Sequence, residues 1–285
     1  MTRGQPSTRS RKRRRRLTDG TPAGSSATLP TLPVVTSYAT ARLEVRDTGV
    51  LLLLDDAESS WIDLWDPTHL DFEYQQQMDA LVSALRGPTT PVHAAHLGAA
   101  GCALARAWDA ARPGSTQLAV EIDAILAGKV REWFDLPRAP RLRIRVGDAA
   151  DAVRTLHSGE WDVVVRDVFT GGQVPPACAS HDFLAECRRV LVPDGLYLAN
   201  AVCPPRQTVA AELARLRQLF GGVLVVGDPA VVRRRRRGNL VLIARERAWE
   251  PAELDAMERA ARRLPLPVRT WPANDPALPR LPAGD

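Results

Sequence analysis

The sequence predicts an α/β fold in which helices cover a mostly parallel sheet. The first observation is that apolar segments of strand length alternate with longer segments of helical periodicity. The second is that three of these strands end in an acidic residue, at Glu121, Asp148 and Asp167. The carboxyl ends of parallel strands form the edge of the sheet on which ligands bind. Three acids in succession at that edge therefore favour a binding site over ordinary turn residues.

The predicted elements follow one another in the order that such a sheet needs. Successive parallel strands require a crossover long enough to hold a helix, and the spacing of the apolar segments allows one each time. In chain order the elements are a strand entering the turn His96–Ala103, a strand at Gln117–Asp123, a helix at Ala124–Phe134, and strands at Arg141–Asp148, Trp161–Asp167 and Gly195–Val202.

A glycine turn follows the first of these strands. Gly98 and Gly101 allow a sharp bend and a close approach of a ligand to the backbone. Glu121 lies 23 residues after Gly98, where a carboxylate accepts hydrogen bonds from ribose hydroxyls. The pattern predicts a nucleoside site. An ordinary strand-to-helix turn is the alternative, because Ala99 and Ala100 break the dinucleotide fingerprint.

The order Gly98, Glu121, Asp148, Asp167 resembles the class I S-adenosylmethionine-dependent methyltransferase fold. This resemblance implies a Rossmann-like domain with a mostly parallel seven-stranded sheet. Two late apolar segments resemble the antiparallel pair that finishes such a sheet, and a run of arginines precedes the second of them. That run is predicted as a solvated loop, with an anion site as the alternative. The segments are 223–228 and 238–244, and the arginines are 233–237.

A narrower resemblance, to the spermidine synthase (polyamine aminopropyltransferase) family and its shorter bacterial relatives, lies upstream. Residues 51–78 are similar to that family's small N-terminal β-unit and to the segment that closes over the amine, with Phe72 and Tyr74 in a Phe-x-Tyr element. The similarity extends roughly over residues 41–245. It implies a small N-terminal β-unit on the Rossmann-like domain.

The chain is accordingly expected to divide into four segments. A disordered basic arm precedes a β-hairpin unit, a Rossmann-like nucleoside-binding catalytic domain follows, and a helix with a proline-rich tail ends the sequence. The boundaries are 1–36, 37–70, 71–248 and 249–285.

The resemblance also implies roles for individual residues. Asp167 corresponds to the carboxylate that attracts the amine and takes its proton, and Tyr74 to the tyrosine that hydrogen-bonds the amine. Glu121 corresponds to the acid that binds ribose, and Asp148 to the acid beside the adenine amino group. The turn residues expected to contact the nucleoside are Gly98, Ala100 and Gly101.

Some positions depart from the family's pattern. Ala99 and Ala100 stand where the family carries an aspartate that selects the decarboxylated donor, so the choice between decarboxylated and intact S-adenosylmethionine stays open. Further acid and acceptor positions are replaced, at Ser59, Gln75, Gln76 and Thr170. Three acids nearby are candidates to bind an amine instead, with solvated loop acids as the alternative: Asp66, Asp71 and Glu73.

The expected function is transfer of an aminopropyl group from decarboxylated S-adenosylmethionine to a small amine such as putrescine, in polyamine biosynthesis. A methyltransferase that uses S-adenosylmethionine on another acceptor, or a non-catalytic nucleoside-binding protein, are the alternatives. The resemblance alone implies a homodimer. A cytoplasmic enzyme is expected, because no apolar run approaches the ~18 residues of a membrane helix.

The net charge of +5 arises from the N-terminus, because residues 1–16 carry eight basic side chains and no acid. The remainder is therefore mildly acidic. The arm is predicted to be disordered, and non-specific contact with nucleic acid is an alternative role for it. No metal is expected, since His93 and His96 face opposite sides of a strand. The cysteines lack metal-site spacing and are expected as buried thiols.

Overall fold

The computed structural model describes residues 29–233 and 235–280. These residues form a small antiparallel N-terminal sheet and a larger, mostly parallel sheet with helices on both faces, which confirms the predicted fold class. Residues 1–28 of the predicted basic arm, which include Arg3 to Arg16, lie outside the described residues. No helix in the described part of the chain is long and apolar enough to cross a membrane.

The N-terminal sheet consists of β1 (Val34–Val35), β2 (Thr40–Arg46), β3 (Gly49–Leu54) and β4 (Ala57–Asp63) in sequential antiparallel order. The predicted hairpin unit began at residue 37, so β1 lies upstream of it. Its two residues offer no alternating pattern from which a strand could be read. Strand β3 is apolar on both faces because both faces are buried. One face packs with residues of the larger domain, and the other lies in a smaller apolar cluster.

The larger sheet has eight strands among the described residues, one more than predicted. Its spatial order is β12-β10-β11-β9-β8-β5-β6-β7, and the five strands from β9 to β7 run parallel. In chain order the strands are β5 (His93–Leu97), β6 (Thr116–Glu121), β7 (Leu142–Val146), β8 (Trp161–Arg166), β9 (Leu191–Cys203), β10 (Gly222–Gly227), β11 (Gly238–Arg245) and β12 (Arg269–Pro272).

The helices divide between the two faces of this sheet. One apolar core includes residues of α1, α2 and α8, and the other includes residues of α4, α5 and α6, while α3 packs with residues of the N-terminal sheet. The helices are α1 (Glu73–Arg86), α2 (Ala103–Ala111), α3 (Ala124–Trp133), α4 (Ala149–Arg154), α5 (His181–Val190), α6 (Arg206–Leu219), α7 (Pro229–Val232) and α8 (Pro251–Arg262).

The additional strand, β12, comes from the C-terminal segment that was predicted as a helix and a proline-rich tail. It pairs antiparallel with β10 at the edge of the sheet, where a strand tolerates its terminal Pro272. Both the backbone N–H and the hydroxyl of Thr270 donate to Glu258 on α8, which fixes the strand against that helix. The strand was missed because four residues among prolines carry little strand signal.

A buried ion pair crosses one apolar core. Arg166, at the end of β8, donates to the carboxylate of Glu212 on α6 and to the backbone carbonyl of Asn200 on β9. The side chains of Arg166 and Glu212 are 0% and 1% exposed. Breaking such a pair leaves an uncompensated buried charge, whereas replacing both partners with apolar residues is often tolerated.

We expect Glu212→Gln to lower the free energy of unfolding by about 3–5 kcal/mol, because the Arg166 guanidinium is left buried without its counter-ion. The double variant Arg166→Met/Glu212→Leu should be less destabilised than Glu212→Gln. Urea unfolding measures both, with Glu132→Gln as control, since Glu132 pairs with Lys129 at the surface. A Glu212→Gln loss no larger than that of the control would contradict this account.

Candidate active site

The glycine turn after β5 is shaped by the end of β8. Gly98 has a φ of +87°, and a Cβ there would lie 2.2 Å from the carbonyl oxygen of Asp167. The backbone N–H of Asp167 in turn donates to the carbonyl of Leu97 at 2.8 Å. The sequence predicted a close approach of backbone to ligand at Gly98. The structure shows that the close neighbour is the protein's own residue 167, so the turn and that residue are held together.

Glu121, at the end of β6, stabilises this turn through hydrogen bonds from its backbone. Its Oε2 accepts from the backbone N–H groups of Ala99 at 3.3 Å and Ala100 at 2.9 Å, and its Oε1 accepts from Asp123 at 3.1 Å. An ionised carboxylate has about four lone-pair positions, and these three donors leave about one of them for a ribose hydroxyl.

The N-terminal sheet reaches the same turn through Ser60 on β4. The backbone N–H of Gly101 donates to the Ser60 hydroxyl at 2.9 Å, and a Cβ at Gly101 would lie 2.7 Å from the Ser60 Cβ. Gly101 is therefore required by the packing of the N-terminal sheet. Sequence reasoning missed Ser60 and assigned significance to its neighbour Ser59, whose hydroxyl donates to the Ala57 carbonyl.

Asp123 joins the N-terminal segment to α3. Its carboxylate caps α3 by accepting from Leu126 at 2.8 Å, and it accepts from Ser37 at 3.1 Å and Tyr38 at 2.9 Å. Burial disfavours the ionised carboxylate, but these hydrogen bonds outweigh burial and lower the pKa of Asp123 to about 2. The residue was not among the predicted site residues, although its place two positions after Glu121 is a helix-capping signal.

Asp148, predicted to lie beside the adenine amino group, caps α4. Its Oδ1 accepts from Ala150 at 2.7 Å and from Asp151 at 3.1 Å. Asp148 also lines the cavity described below, so a nucleoside bound in that cavity could contact it.

Asp167 lies at the centre of a side-chain network. Its Oδ2 accepts from the Tyr74 hydroxyl at 2.7 Å, and its Oδ1 accepts from the Asn200 amide at 2.9 Å. Tyr74 in turn accepts from the Gln75 amide at 3.2 Å. The sequence predicted that Asp167 and Tyr74 each contact the amine, but it predicted neither their mutual hydrogen bond nor Asn200. An asparagine inside an otherwise apolar strand was the signal available for it.

Burial sets the protonation states in this network. It raises the pKa of Asp167, against the opposing hydrogen bonds from Tyr74 and Asn200 and the charge of Arg166. Burial, together with the Asp167 charge, raises the pKa of Tyr74 well above its ordinary value. Tyr74 therefore stays protonated and acts as the donor, and Asp167 is a stronger base than an exposed aspartate.

A cavity of about 1020 Å³ connects the glycine turn with the Asp167 network. This volume is at the upper end for small-molecule sites and suffices for a nucleoside with a second substrate. Among the described residues that line the cavity, the charged side chains are acids, with Arg236 as the exception. His96 also lines the cavity, but burial lowers its pKa to about 4, so its ring is neutral at pH 7. The acids are Asp55, Glu58, Asp71, Glu73, Glu121, Asp123, Asp148 and Asp167.

A probable spermidine synthase from Corynebacterium glutamicum has a solved structure that is 30% identical to the chain, with a TM-score of 0.80 over 90% of this chain and 98% of that one. The chain belongs to a spermidine synthase-like family with the methyltransferase fold. Polyamine aminopropyltransferase of Chromobacterium violaceum is 26% identical over 227 residues, covering 78% of this chain and 83% of the relative.

Methyltransferases are also similar to this spermidine synthase-like chain. Human eEF1A lysine and N-terminal methyltransferase is 26% identical over 227 residues, which are 72% of this chain but 31% of that relative. The structure of human Methyltransferase-like protein 13 in complex with SAH is 25% identical, with a TM-score of 0.56 over 68% of this chain. No protein-family model matches the sequence.

The positions that depart from the spermidine synthase pattern have local roles. Thr170 exchanges backbone hydrogen bonds with Gln173 in a loop at the cavity, and the Gln76 amide donates to the backbone carbonyl of Leu70. Among the three candidate substitute acids, Asp71 and Glu73 line the cavity. Asp66 instead accepts hydrogen bonds from the backbone N–H and the hydroxyl of Thr68, within its own loop.

No cluster of three or more potential metal ligands occurs among the described residues. His96 Nε2 donates to the side-chain oxygen Oε1 of Gln117 at 2.8 Å, and the ring of His93 stacks on Trp161 with ring centroids 4.0 Å apart. All four cysteines are buried.

The low pKa of Asp123 predicts a pH dependence of stability. Its pKa is about 2 in the folded protein, below the ordinary value of 3.8. The contribution is therefore fully present above about pH 4 and is lost as the pH falls toward 2. At pH 7, we expect this pH-dependent contribution to make the free energy of unfolding of wild type about 2 kcal/mol larger than that of Asp123→Asn.

Urea unfolding between pH 7 and pH 2 measures this difference, and Asp151→Asn provides a control because Asp151 is 80% exposed. The difference between wild type and Asp123→Asn should shrink below pH 4, and that for Asp151→Asn should stay small. A difference for Asp123→Asn that is constant with pH would show that the carboxylate charge is not what anchors Ser37 and Tyr38.

Proposed function

We propose that the protein is an aminopropyltransferase that moves an aminopropyl group from decarboxylated S-adenosylmethionine to a small amine such as putrescine. The observation that supports this best is the contact of Tyr74 and Asn200 with Asp167 in the cavity that also contains the Glu121 turn. A base for the acceptor and a carboxylate for the ribose thus face one space. The family's relatives include polyamine aminopropyltransferases at 26% identity.

The reaction needs a neutral amine. An acceptor amine is protonated in water, and it can attack the methylene carbon next to the sulfonium sulfur only after it loses a proton. Asp167 attracts the ammonium and accepts that proton, which its raised pKa favours. The new nitrogen–carbon bond forms as the carbon–sulfur bond breaks, and the sulfur retains the electron pair in methylthioadenosine.

Tyr74 and Asn200 orient the base. Each donates to a different oxygen of Asp167, so the carboxylate plane is fixed before an acceptor binds. Preorganisation of this kind lowers the cost of reaching a reactive arrangement. Tyr74 is one of four α1 residues that line the cavity, together with Glu73, Gln75 and Gln77.

The charge of the wall supports a cationic donor. Decarboxylated S-adenosylmethionine carries a sulfonium and an ammonium and no carboxylate, and the charged side chains among the described lining residues are all acids except Arg236. The carboxylate of intact S-adenosylmethionine would face these acids. Glu121 and Asp148 are proposed to hold the ribose and the adenine, as the family resemblance implies.

A methyltransferase that uses intact S-adenosylmethionine is the second candidate. Two observations favour it: the turn carries Ala99 and Ala100 instead of a donor-selecting acid, and a human methyltransferase relative is 26% identical. In that case Asp167 would take a proton from a different acceptor.

Asp167→Asn is expected to reduce the rate of methylthioadenosine release from the decarboxylated donor with putrescine by about 10²-fold or more. The amide keeps the shape of the side chain but loses the charge and the basicity. Methylthioadenosine, which carries no amine, should bind nearly as before. Asp66→Asn is the matched control, because Asp66 belongs to a loop and is not among the cavity-lining residues.

Thermal unfolding on the same preparations separates catalysis from stability. Full turnover by Asp167→Asn would remove Asp167 from the mechanism. Wild-type protein that releases no methylthioadenosine with any amine, yet consumes intact S-adenosylmethionine with another acceptor, would replace this proposal with the methyltransferase.

A further inference from the structure

Two neighbouring elements carry exposed acids at the cavity. Asp55 and Glu58 belong to the β3–β4 hairpin, and Asp71 and Glu73 lie at the start of α1. All four line the cavity and are exposed, and we call them the rim acids. Phe72 packs on the apolar cluster of the hairpin, so the hairpin and the start of α1 are held together.

The charge of the rim acids is only weakly compensated. Asp55 accepts from the backbone N–H of Thr40 at 2.8 Å, which brings no charge. The ion pairs of the other three are longer than a hydrogen bond and open to solvent, and such pairs contribute little. They are Glu58 with Arg46 at 3.6 Å, Asp71 with His69 at 3.9 Å, and Glu73 with Arg236 at 3.6 Å. Arg236, from the arginine run that was predicted as a solvated loop, also pairs with Asp228 at 2.8 Å.

The cavity also lacks hydrogen-bond donors. Gln77 and Asn200 line it and are each 3% exposed, and their side-chain oxygens have no hydrogen-bond partner among the described residues. A buried acceptor without a donor is costly, so a ligand that brings N–H groups is favoured. Ammonium and guanidinium groups have donors and no acceptor. Charge and hydrogen bonding thus favour the same kind of occupant.

The chain contains a large supply of such groups in its own sequence. Residues 1–16 carry eight basic side chains and no acid, whereas the rest of the chain has a net negative charge. Seven of the eight are arginines, which retain their charge at any working pH. The basic residues of the arm and the rim acids are therefore complementary in charge.

The arm joins the described structure close to the cavity. Leu29, the first described residue, packs on the same apolar cluster as Ala99 and Ala100 of the glycine turn, which line the cavity. Residues 17–28 separate Arg16 from Leu29, and twelve residues span up to ~40 Å when extended. The basic residues can therefore reach the rim acids of their own chain.

A covalent link makes even a weak contact effective. Two groups on one chain meet at an effective concentration of the order of millimolar. The ring of Tyr38, which lines the cavity and is 66% exposed, offers a further surface to a guanidinium.

We propose that the basic residues of the arm, between Arg3 and Arg16, bind the rim acids and compete with cationic substrates for the cavity. This contact goes beyond the proposed reaction, because it needs only a cavity that admits a cation. It makes the arm an inhibitory segment that salt weakens.

The direct test uses a labelled peptide of residues 1–20 and a full-length protein whose eight basic arm residues are replaced by glutamine, the arm-neutral variant. At low salt we expect saturable binding of the peptide. Adding four substitutions at the rim should weaken this binding by about tenfold or more, because the counter-charges are removed. These substitutions are Asp55→Asn, Glu58→Gln, Asp71→Asn and Glu73→Gln.

The matched control makes the same charge change at four exposed acids that do not line the cavity. It should weaken peptide binding much less than the rim substitutions do. The control substitutions are Glu132→Gln, Asp151→Asn, Asp182→Asn and Glu246→Gln. Absence of peptide binding, or an equal loss in the rim and control proteins, would overturn the proposal. A peptide that binds a DNA duplex but not the protein would do so as well, and would assign the arm to nucleic acid.

Competition is measured in the intact chain by titrating putrescine calorimetrically into wild type and the arm-neutral variant, both saturated with methylthioadenosine. We expect the arm-neutral variant to bind putrescine about threefold more tightly or better at low salt. The difference should disappear toward 1 M salt, where charges are screened beyond about 3 Å. Equal or undetectable affinities at low salt would overturn the competition.

Release of methylthioadenosine from the decarboxylated donor separates this contact from the proposed function. Peptide binding that depends on the rim acids, without release by either protein, would keep the contact and overturn aminopropyl transfer. Release by both proteins at equal rates, without peptide binding, would keep aminopropyl transfer and overturn the contact.

Discussion

The hydrogen bond from Tyr74 to Asp167 is the interaction on which the candidate site depends. It joins two residues 93 positions apart, one in the first turn of α1 and the other directly after β8. Burial keeps the tyrosine protonated, so the contact is a charge-assisted bond to a carboxylate and stronger than a neutral one. The other polar contact of α1 at this cavity, between Glu73 and Arg236, is longer, at 3.6 Å, and more exposed.

The nucleoside side is assembled by a second set of long-range contacts. Ser60 accepts from Gly101, and Asp123 accepts from Ser37 and Tyr38, so the N-terminal sheet is tied both to the glycine turn and to the start of α3. Glu121 holds the same turn from β6. The N-terminal sheet thus contributes to the candidate site through these contacts.

The parts of the site that the sequence could predict are those that occupy strand ends or a local motif. Glu121, Asp148 and Asp167 stand where apolar strands stop, and the structure brings all three to one cavity. Ser60 and Asn200 were missed because their contacts come from folding and leave no local spacing signal. The eighth strand was missed for a related reason, since only its pairing with β10 and its bonds to Glu258 distinguish it from a tail.

Calorimetry of the full-length protein with decarboxylated S-adenosylmethionine, intact S-adenosylmethionine and methylthioadenosine tests the central claim most directly, because the donor defines the reaction. The acidic wall of the cavity predicts that the decarboxylated donor binds at least tenfold more tightly than intact S-adenosylmethionine, which adds only a carboxylate. Tighter binding of intact S-adenosylmethionine than of its decarboxylated form would contradict the assignment as an aminopropyltransferase.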